Sequence, residues 1–463
     1  MDRPPAWASR LAMASLAAVL GANIYRACTQ SITSDEAYTY NLFLNQGIKQ
    51  LFARYDAAHH VLNTYLCQIS IALFGVSELS MRLPSLAGGA LYLLGLFRLS
   101  GYLFASPAWF LLSIGLLALN PFVLDHLSAA RGYGSGLACL IWAFYFALRY
   151  LDERRESLLY GCGLCLGLAV AFNLVFAFPA AGLGAMLALL LIRQSGDLWR
   201  LSDHLAVPAI VSAFLFVILP LGRAETSNFY AGEPSLNDTL RGLMTFSFHY
   251  HPERSIWLRV EVPIAAVAVL GTIALAVAVR SAGRRPLLLV SGSMAVTFGL
   301  IFAAHQLFGT PYPMTRTAIY WIPLSALAAT LLAAQAPRPV RIAGYAILLA
   351  CALQFAIQFQ VESYAEWRYD AGSKRVIARM REYHALHPRE NVAVRASWLV
   401  ESSLNFYRQM HNLTWMEPVK REDFNRSHDY FVLLPHEQAL VGLLSLRVIY
   451  RDSVSGAVFA VLR

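Results

Sequence analysis

The stretch 158–192, LLYGCGLCLGLAVAFNLVFAFPAAGLGAMLALLLI, contains no charged residue and is flanked by Arg154 and Arg155 on one side and by Arg193 on the other. About 20 apolar residues cross the hydrocarbon core of a bilayer, so we place two spans in this stretch, at 158–172 and 174–192. Apolar residues recur along the chain in long blocks of this kind, not at amphipathic spacing. The stretch therefore predicts membrane-spanning helices.

The composition of the whole chain supports this prediction. Of its 463 residues, 57% are hydrophobic and only 14% are charged, against about 25% charged in an ordinary soluble domain. We expect a mainly α-helical, polytopic transmembrane bundle with a small C-terminal α/β domain. About eleven spans are expected, at 10–28, 84–101, 107–125, 133–150, 158–172, 174–192, 204–221, 256–279, 287–304, 316–334 and 341–359.

The net charge of +9 serves mainly as a topology signal. Basic residues gather at the ends of apolar blocks and form no stripe interleaved with aromatic residues, so nucleic acid is not an expected partner. With the N-terminus in the cytoplasm, every short inside loop carries arginine, as the positive-inside rule requires. The apolar piece 61–74 would invert this pattern if it crossed the membrane, so we interpret it as an interfacial helix. The protein is expected in a bacterial inner membrane.

Two regions are expected outside the cytoplasm: the loop 29–82 and the C-terminal residues 360–463. The loop 29–82 is the first outside loop of the membrane domain, residues 1–359, and carries juxtamembrane helices. Residues 360–463 change composition sharply, and short β segments alternate with helical ones. This alternation predicts a small extracytoplasmic α/β domain with a largely parallel sheet.

The first outside loop contains two adjacent acids, Asp35 and Glu36. Thr33-x-x-Glu36 fits a capping box at a helix N-terminus, which would give both acids a structural role. Alternatively, Asp35 is a general base that takes a proton from an acceptor hydroxyl. The two interpretations are compatible, with Glu36 capping the helix and Asp35 free to react.

Arginines stand at the outer edge of two later spans, at Arg131 and Arg316. An arginine at a membrane boundary can simply extend its charge to the water. Guanidinium geometry also suits two-point binding of a phosphate.

Taken together, these motifs resemble the polytopic lipid-linked-sugar glycosyltransferases of the GT-C fold, which include protein O-mannosyltransferases and lipid A aminoarabinose transferases. The resemblance covers roughly residues 10–335 and depends on the order and the topological side of the motifs. The motifs are Asp35-Glu36-Ala37-Tyr38, His60-Val61-Leu62-Asn63-Thr64, Glu78 with Arg82-Leu83-Pro84-Ser85, Ala130-Arg131-Gly132-Tyr133, and Tyr312-Pro313 with Arg316-Thr317.

The resemblance implies roles for single residues. Asp35, with Glu36 beside it, is the implied catalytic acid pair, and Asp35 is the base. Arg131 and Arg316, with Tyr133, are implied to bind the phosphate and lipid of a polyprenyl donor.

A second group of residues is expected to contact the acceptor or to support the residues that do: His60, Asp125, Asn63 and Tyr312. Many relatives carry a glutamate two residues before the arginine that corresponds to Arg131, whereas this chain has Ala129 there.

No cofactor is certain. A divalent metal shared by Asp35, Asp125 and His60 is compatible with the sequence but is not implied by it.

The function that follows is an integral-membrane, inverting glycosyltransferase. It would move a sugar from a polyprenyl-phosphate-linked donor to a hydroxyl of an acceptor lipid, glycan or protein, among membrane lipids. The alternative is a lipid or polysaccharide transporter or flippase, but such proteins usually carry ionisable groups at mid-depth or repeated halves, and neither is evident. A membrane-anchored sensor would need far fewer spans.

Overall fold

A computed structural model describes residues 4–47, 55–195, 198–225, 232–250 and 285–463. Its membrane part is built of helices, which run in chain order as α1 (Ala6–Thr29), α2 (Ser34–Thr39), α3 (Val61–Phe74), α4 (Glu78–Leu103), α5 (Pro107–Ala118), α6 (Pro121–His126), α7 (Tyr133–Glu153), α8 (Glu156–Phe172), α9 (Ala177–Ser195), α10 (Val207–Leu221), α11 (Leu236–Phe248), α12 (Arg285–Phe308), α13 (Trp321–Gln335) and α14 (Arg338–Gln358).

Within the described residues, eight helical segments are long and apolar enough to cross a membrane. They are Ala6–Thr29, Glu78–Leu103, Tyr133–Glu153, Leu174–Ile192, Trp199–Leu221, Arg285–Phe308, Thr315–Gln335 and Arg338–Gln358. The expected helical membrane bundle is therefore confirmed. Helices α3, α5 and α8 are apolar but shorter. The expected span 256–279 lies outside the described residues.

The expected single span at 107–125 was wrong, because two helices occupy it. Helix α5 ends at Ala118 and α6 begins at Pro121. Proline has no backbone N–H to donate and fits best in the first turn of a helix. The side chain of Asn120 accepts a hydrogen bond from Val123 N at 3.1 Å and caps the new helix. The break leaves Asp125 and His126 at the end of the short helix α6.

Close helix contacts build the buried core of the bundle. Helix α7 lies between α4 and α8, and most of its residues are buried. A Cβ atom on Gly88 of α4 would lie 2.2 Å from Ser135 Oγ of α7, so only glycine permits this approach. Small residues at such contacts are typical of membrane helices, whose association depends on packing.

Several helix ends meet on one side of the bundle. The start of α4 contacts the end of α1, where Arg82 Nη1 donates to Gln30 O at 2.9 Å. Gln30 Nε2 in turn donates to Val361 O, just beyond the end of α14, at 2.8 Å. The arginines of the short loops lie at the opposite ends of these helices: Arg98 in the last turns of α4, Arg154 after α7 and Arg338 at the start of α14.

Residues 360–463 add a small domain with a four-stranded sheet. Its elements are α15 (Ser373–Leu386), β1 (Val394–Ala396), α16 (Glu401–Met410), β2 (Tyr430–Leu433), α17 (Ala439–Leu443), β3 (Leu446–Arg451) and β4 (Val458–Leu462). The strand order is β1-β2-β4-β3. Residues 363–371, between α14 and α15, form what we term the connecting segment.

The expectation of a largely parallel sheet was wrong. Only β1 and β2 pair in parallel, with Val394 opposite Tyr430, whereas β4 pairs antiparallel with both β2 and β3. The loop between β3 and β4 covers only 452–457, which is too short for the crossover that parallel neighbours need.

The small domain shares a buried apolar cluster with the first outside loop. Ile32 and Phe43 of the loop, with Met81 of α4, are buried in one cluster with Ile377 and Phe406 of the small domain. Burial of apolar surface stabilises such a contact by about 25 cal/mol per Å². The small domain is therefore packed against the loop that carries Asp35 and Glu36.

Candidate functional site

Helix α2 positions the two adjacent acids. The capping box predicted at its start is present: Thr33 Oγ1 accepts from Glu36 N at 3.2 Å, and Glu36 Oε2 accepts from Thr33 N at 2.9 Å. Because successive residues of a helix point about 100° apart, Asp35 and Glu36 enter different surroundings.

Glu36 is fully buried, and both of its oxygens are used. Arg82 Nε donates to Oε1 at 2.9 Å and Arg82 Nη2 donates to Oε2 at 2.7 Å. The backbone N–H of Ala130 also donates to Oε1, at 2.7 Å. A carboxylate with this many donors is occupied in holding α1, α2 and α4 together, so its geometry fits a structural role.

Asp35 lies between two guanidinium groups. Its Oδ2 atom is 3.2 Å from Arg316 Nη2 and 3.6 Å from Arg131 Nη2. One-quarter of its side chain is exposed, although Oδ2 itself, the oxygen that faces the two arginines, is buried. Burial alone would raise the pKa of Asp35, but the charges of Arg316 and Arg131 outweigh burial and lower that pKa below its usual value. Asp35 is therefore a carboxylate at neutral pH and can accept a proton.

Arg131 is almost fully buried and is held by α2. Its Nη1 donates to Thr39 Oγ1 at 3.1 Å, to Asp35 O at 3.3 Å and to Ala58 O at 3.4 Å. Gly132 follows it with φ of +70°, a conformation that side-chain-bearing residues rarely adopt. A Cβ atom there would also lie 2.5 Å from Phe172 O. The turn that directs Arg131 toward Asp35 therefore requires glycine.

Arg316 is more accessible than Arg131, with 22% of its side chain exposed against 3%. It lies in a 3₁₀ turn, Thr315–Ala318, just before α13. Its Nη1 is 3.7 Å from Glu366 Oε2, and its guanidinium carbon is 5.8 Å from the centre of the Trp367 ring. Arg316 thus joins Asp35 to the connecting segment.

Three aromatic rings lie beside these charges. The Tyr133 ring centroid is 5.1 Å from that of His60 and 4.9 Å from that of His126. Burial, with the charges of Arg131 and Arg316, holds the pKa of His60 well below its usual value, so His60 is neutral. His60 Nε2 is buried without a hydrogen-bond partner among the residues that the structure describes. His60 and Tyr133 are thus placed together beside these charges.

The other expected residues make contacts of their own. Asp125 forms a buried ion pair with Arg26 and accepts from Tyr250 Oη at 3.0 Å and from Ala365 N at 2.9 Å. Its oxygens are therefore occupied, and its geometry fits a structural role at the membrane surface.

Asn63 and Tyr312 also have local partners. Asn63 Oδ1 accepts from Ser85 Oγ at 3.4 Å, which joins α3 to α4. Tyr312 stacks on His305 with a centroid separation of 4.2 Å, and its backbone pairs with Glu233. These contacts hold the loops around the site, and none of them reaches Asp35.

A metal ion has few candidate ligands here. In the described ranges, no group of three or more His, Cys, Asp and Glu side chains is placed to hold one. Of the three expected ligands, Asp125 is paired with Arg26 and Asp35 faces Arg131 and Arg316. Arginine supplies the positive charge beside Asp35.

Sequence reasoning missed the connecting segment. Glu366 Oε2 lies 3.6 Å from His126 Nε2 and 3.7 Å from Arg316 Nη1, and the Trp367 ring contacts both His126 and Arg316. One signal was available, because a segment that directly follows the last span must start at the membrane surface, on the same side as the first outside loop.

Comparison with known proteins connects this geometry to a known fold. Residues 58–221 match the family model described as dolichyl-phosphate-mannose-protein mannosyltransferase. A comparison with curated protein sequences gives no match. The fold is similar to that of ArnT from Cupriavidus metallidurans in the apo state, with a TM-score of 0.50, 14% identity and 97% of each chain covered.

Two further structures give lower scores. ArnT from the same organism bound to undecaprenyl phosphate gives a TM-score of 0.48, 13% identity and 97% coverage of each chain. Arabinofuranosyltransferase AftD from Mycobacteria gives 0.49 and 14% identity, over 98% of this chain and 40% of that one. The resemblance to GT-C glycosyltransferases that the sequence motifs indicate is confirmed by the family match and by the fold.

Proposed function

We propose that this chain is an inverting glycosyltransferase that moves a sugar from a polyprenyl-phosphate-linked donor to an acceptor hydroxyl on the extracytoplasmic face of a membrane. One observation carries the proposal. An ionised and partly exposed carboxylate, Asp35, lies 3.2 Å from Arg316 and 3.6 Å from Arg131, at the end of a membrane helix bundle. This arrangement supplies a base and an anion-binding pair at one point.

The reaction needs only these groups. The acceptor oxygen attacks the anomeric carbon of the sugar while Asp35 takes the hydroxyl proton. The bond between that carbon and the phosphate oxygen breaks, and polyprenyl phosphate leaves with the bonding electron pair. Arg131 and Arg316 stabilise the charge that develops on the phosphate, and the proton passes from Asp35 to water. A single in-line displacement inverts the anomeric carbon.

The choice of a lipid-linked donor follows from location and from chemistry. Nucleotide sugars remain in the cytoplasm, so a transferase on the outer face needs a donor that arrives through the membrane. The description of the matched family names dolichyl-phosphate mannose, which is a donor of this class. Helices such as α10 and α12 expose large apolar side chains, including Leu215 and Phe302, against which membrane lipids and a prenyl chain can pack.

The outer location rests on the distribution of arginine. Asp35 lies where α1 ends and where α4 begins, whereas Arg98, Arg154 and Arg338 lie at the opposite ends of the helices. The positive-inside rule assigns those opposite ends to the cytoplasm. The site and the small domain then face outward, with the N-terminus inside.

The flippase alternative is not favoured. Arg26 lies in the last turn of α1 and Arg82 in the second turn of α4, so both charges lie near the ends of their helices. A translocation path usually places ionisable groups at mid-depth.

The proposal is tested with purified protein in lipid nanodiscs. The donors are a panel of undecaprenyl-phosphate-linked sugars with a labelled sugar, and the acceptors are glycolipid and glycan extracts of a bacterial envelope. We expect one donor to give a labelled product and an equal amount of undecaprenyl phosphate, with the anomeric configuration inverted. If the native protein leaves every donor intact, the proposed glycosyltransferase activity is wrong. If the configuration is retained, the single displacement is wrong.

A further inference from the structure

A buried carboxyl group of the connecting segment joins the small domain to the helix that carries Asp35. Asp370 Oδ2 accepts a hydrogen bond from Ser34 N, the residue before Asp35, at 2.5 Å. Its other oxygen, Oδ1, accepts from Ser403 Oγ at 2.7 Å and from Ser373 Oγ at 3.1 Å. Only 1% of Asp370 is exposed. One oxygen therefore holds the start of α2 and the other holds α15 and α16.

The neighbouring contacts fix the same segment of chain. Ser31 Oγ donates to Ala371 O at 2.9 Å, and Ile32 N donates to Tyr407 Oη at 2.8 Å. Ser34 Oγ is 2.8 Å from Tyr369 Oη. Residues 31–34 are thus attached to the small domain at several points, and the acid that follows them is held in place by that attachment.

We infer that Asp370 is a positioning residue that fixes Asp35 for proton transfer, so that the small domain is part of the catalytic apparatus. The inference rests on the proposed function. Misplacing a catalytic group by about 1 Å can cost on the order of 100-fold in rate. Asp370 does not touch the pair formed by Asp35 and Arg316, so its loss acts through the position of α2.

The chemistry of Asp370 suggests a conservative replacement. Burial raises the pKa of Asp370 to about 7, so the group is readily protonated near neutrality. A protonated carboxyl donates through one oxygen and accepts through the other, and serine hydroxyls can serve as donor or acceptor. Asparagine reproduces this pattern, with its amide NH₂ toward Ser403 and its oxygen toward Ser34 N, whereas alanine supports neither contact.

The test compares three variants of the full-length protein in nanodiscs. D370A should lower kcat on the order of 10- to 100-fold while the donor KM changes by less than about threefold, because the base is displaced whereas Arg316, the more exposed of the two donor-binding arginines, lies outside α2. D370N should retain most of kcat. D429A is the matched control, since Asp429 also bridges two segments of the small domain, accepting from Ala393 N at 3.0 Å and pairing with Arg389, and should leave kcat near the native value.

A second measurement does not depend on activity. Hydrogen exchange at the Ser34 amide should speed up in D370A and stay near the native rate in D370N and D429A. The inference is overturned if D370A keeps native kcat and native exchange at Ser34, or if D370N loses as much kcat as D370A. Failure of the proposed function is distinct, because the native protein would then transfer no sugar while exchange still reports on Ser34.

Discussion

Glu36 and Arg82 form a two-point ion pair that is closed to solvent, with Nε–Oε1 and Nη2–Oε2 distances of 2.9 Å and 2.7 Å. Asp35, the next residue in the chain, has an exposed edge and faces two arginines. Two adjacent acids with the same intrinsic chemistry are thus separated into a fully buried, paired group and a partly exposed group by the direction in which the helix turns them.

Removing the structural acid should destabilise the protein. Glu36→Ala leaves the Arg82 charge buried without its partner, which typically costs about 3–5 kcal/mol. We expect a clear fall in the thermal unfolding temperature in detergent. Asp35→Asn is the control and should lower the unfolding temperature less than Glu36→Ala, because Asp35 and Arg316 are partly exposed whereas Glu36 and Arg82 are fully buried. An unchanged unfolding temperature in Glu36→Ala would show that the pair does not hold the loop.

The two arginines should have separable effects. Arg316 has one-fifth of its side chain exposed and no hydrogen bond that holds α2, so Arg316→Ala should mainly weaken donor binding. A charged hydrogen bond contributes about 1.5–3 kcal/mol, which corresponds to a donor KM raised about 10- to 100-fold.

Arg131→Ala should instead lower kcat as well, because Arg131 also donates to Asp35 O and Thr39. The matched control is Arg421→Ala, an exposed arginine that pairs with Glu401 on the small domain. Steady-state kinetics with varied donor give both constants. Equal effects on KM and kcat for Arg131→Ala and Arg316→Ala would contradict this separation.

The pH dependence of transfer should report on Asp35. Burial raises the pKa of Asp35, but the charges of Arg316 and Arg131 outweigh burial and lower that pKa. Asp35 therefore stays ionised at pH values near the usual aspartate pKa and gains a proton only in more acidic solution. We expect that protonation of Asp35 does not lower kcat/KM near neutral pH, so that the acid limb of the pH profile, where kcat/KM falls, lies at lower pH.

Arg316→Gln removes the larger of the two lowering charges, so the acid limb should move to higher pH. Weaker donor binding reduces the height of the profile but does not move the limb. A limb that stays in place or moves to lower pH in Arg316→Gln would show that Asp35 is not the titrating group.

Gly132→Ala should disrupt the turn that directs Arg131. Its φ of +70° disfavours a side chain, and the new Cβ would meet Phe172 O. Strained conformations of this kind cost about 1–3 kcal/mol before the clash is counted. Gly21→Ala is the matched control, because a Cβ there has nothing within 4 Å. A Gly132→Ala protein as stable and as active as Gly21→Ala would contradict the requirement for glycine.

The orientation is tested by labelling intact cells. A cysteine at Leu386, exposed on the small domain, should react with a membrane-impermeant maleimide, whereas a cysteine at Arg155, exposed on the arginine-rich side, should not. Both variants are made with Cys28→Ser, since Cys28 is the exposed native cysteine of the described residues. Labelling at 155 together with protection at 386 would show that the topology is the reverse of the proposed one.

The bundle was predictable because membrane spans depend on length and hydropathy alone. The bounds of α3 and the start of α7 follow directly from where apolar residues begin and end, whereas α7 continues past the expected end at 150 to Glu153. The break at Asn120-Pro121 was missed because the apolar run continues through it, although proline and a capping asparagine together end a helix. The sheet was mispredicted because β segments do not reveal their direction, while the short loop between β3 and β4 does.

At the site, sequence order predicted which residues lie at the same ends of the spans but not which of them meet. Asp35, Arg131 and Arg316 come together as the motifs indicate, and the capping box identified the role of Glu36. The ion pair of Asp125 with Arg26 was not predicted, because the two residues lie 99 positions apart in the chain. Glu366 and Asp370 belong to a region without a motif, and only the fold brings them to α2.

The most direct measurement is sugar transfer by Asp35→Asn. Asparagine keeps the shape of the side chain but cannot take the hydroxyl proton, and a general base typically contributes about 10²- to 10⁴-fold. We predict a loss of that size in kcat, with a smaller fall in the unfolding temperature than in Glu36→Ala and with retained binding of undecaprenyl phosphate. Asp429→Asn, on the small domain, should transfer normally. Near-native turnover by Asp35→Asn would contradict the assignment of Asp35 as the base.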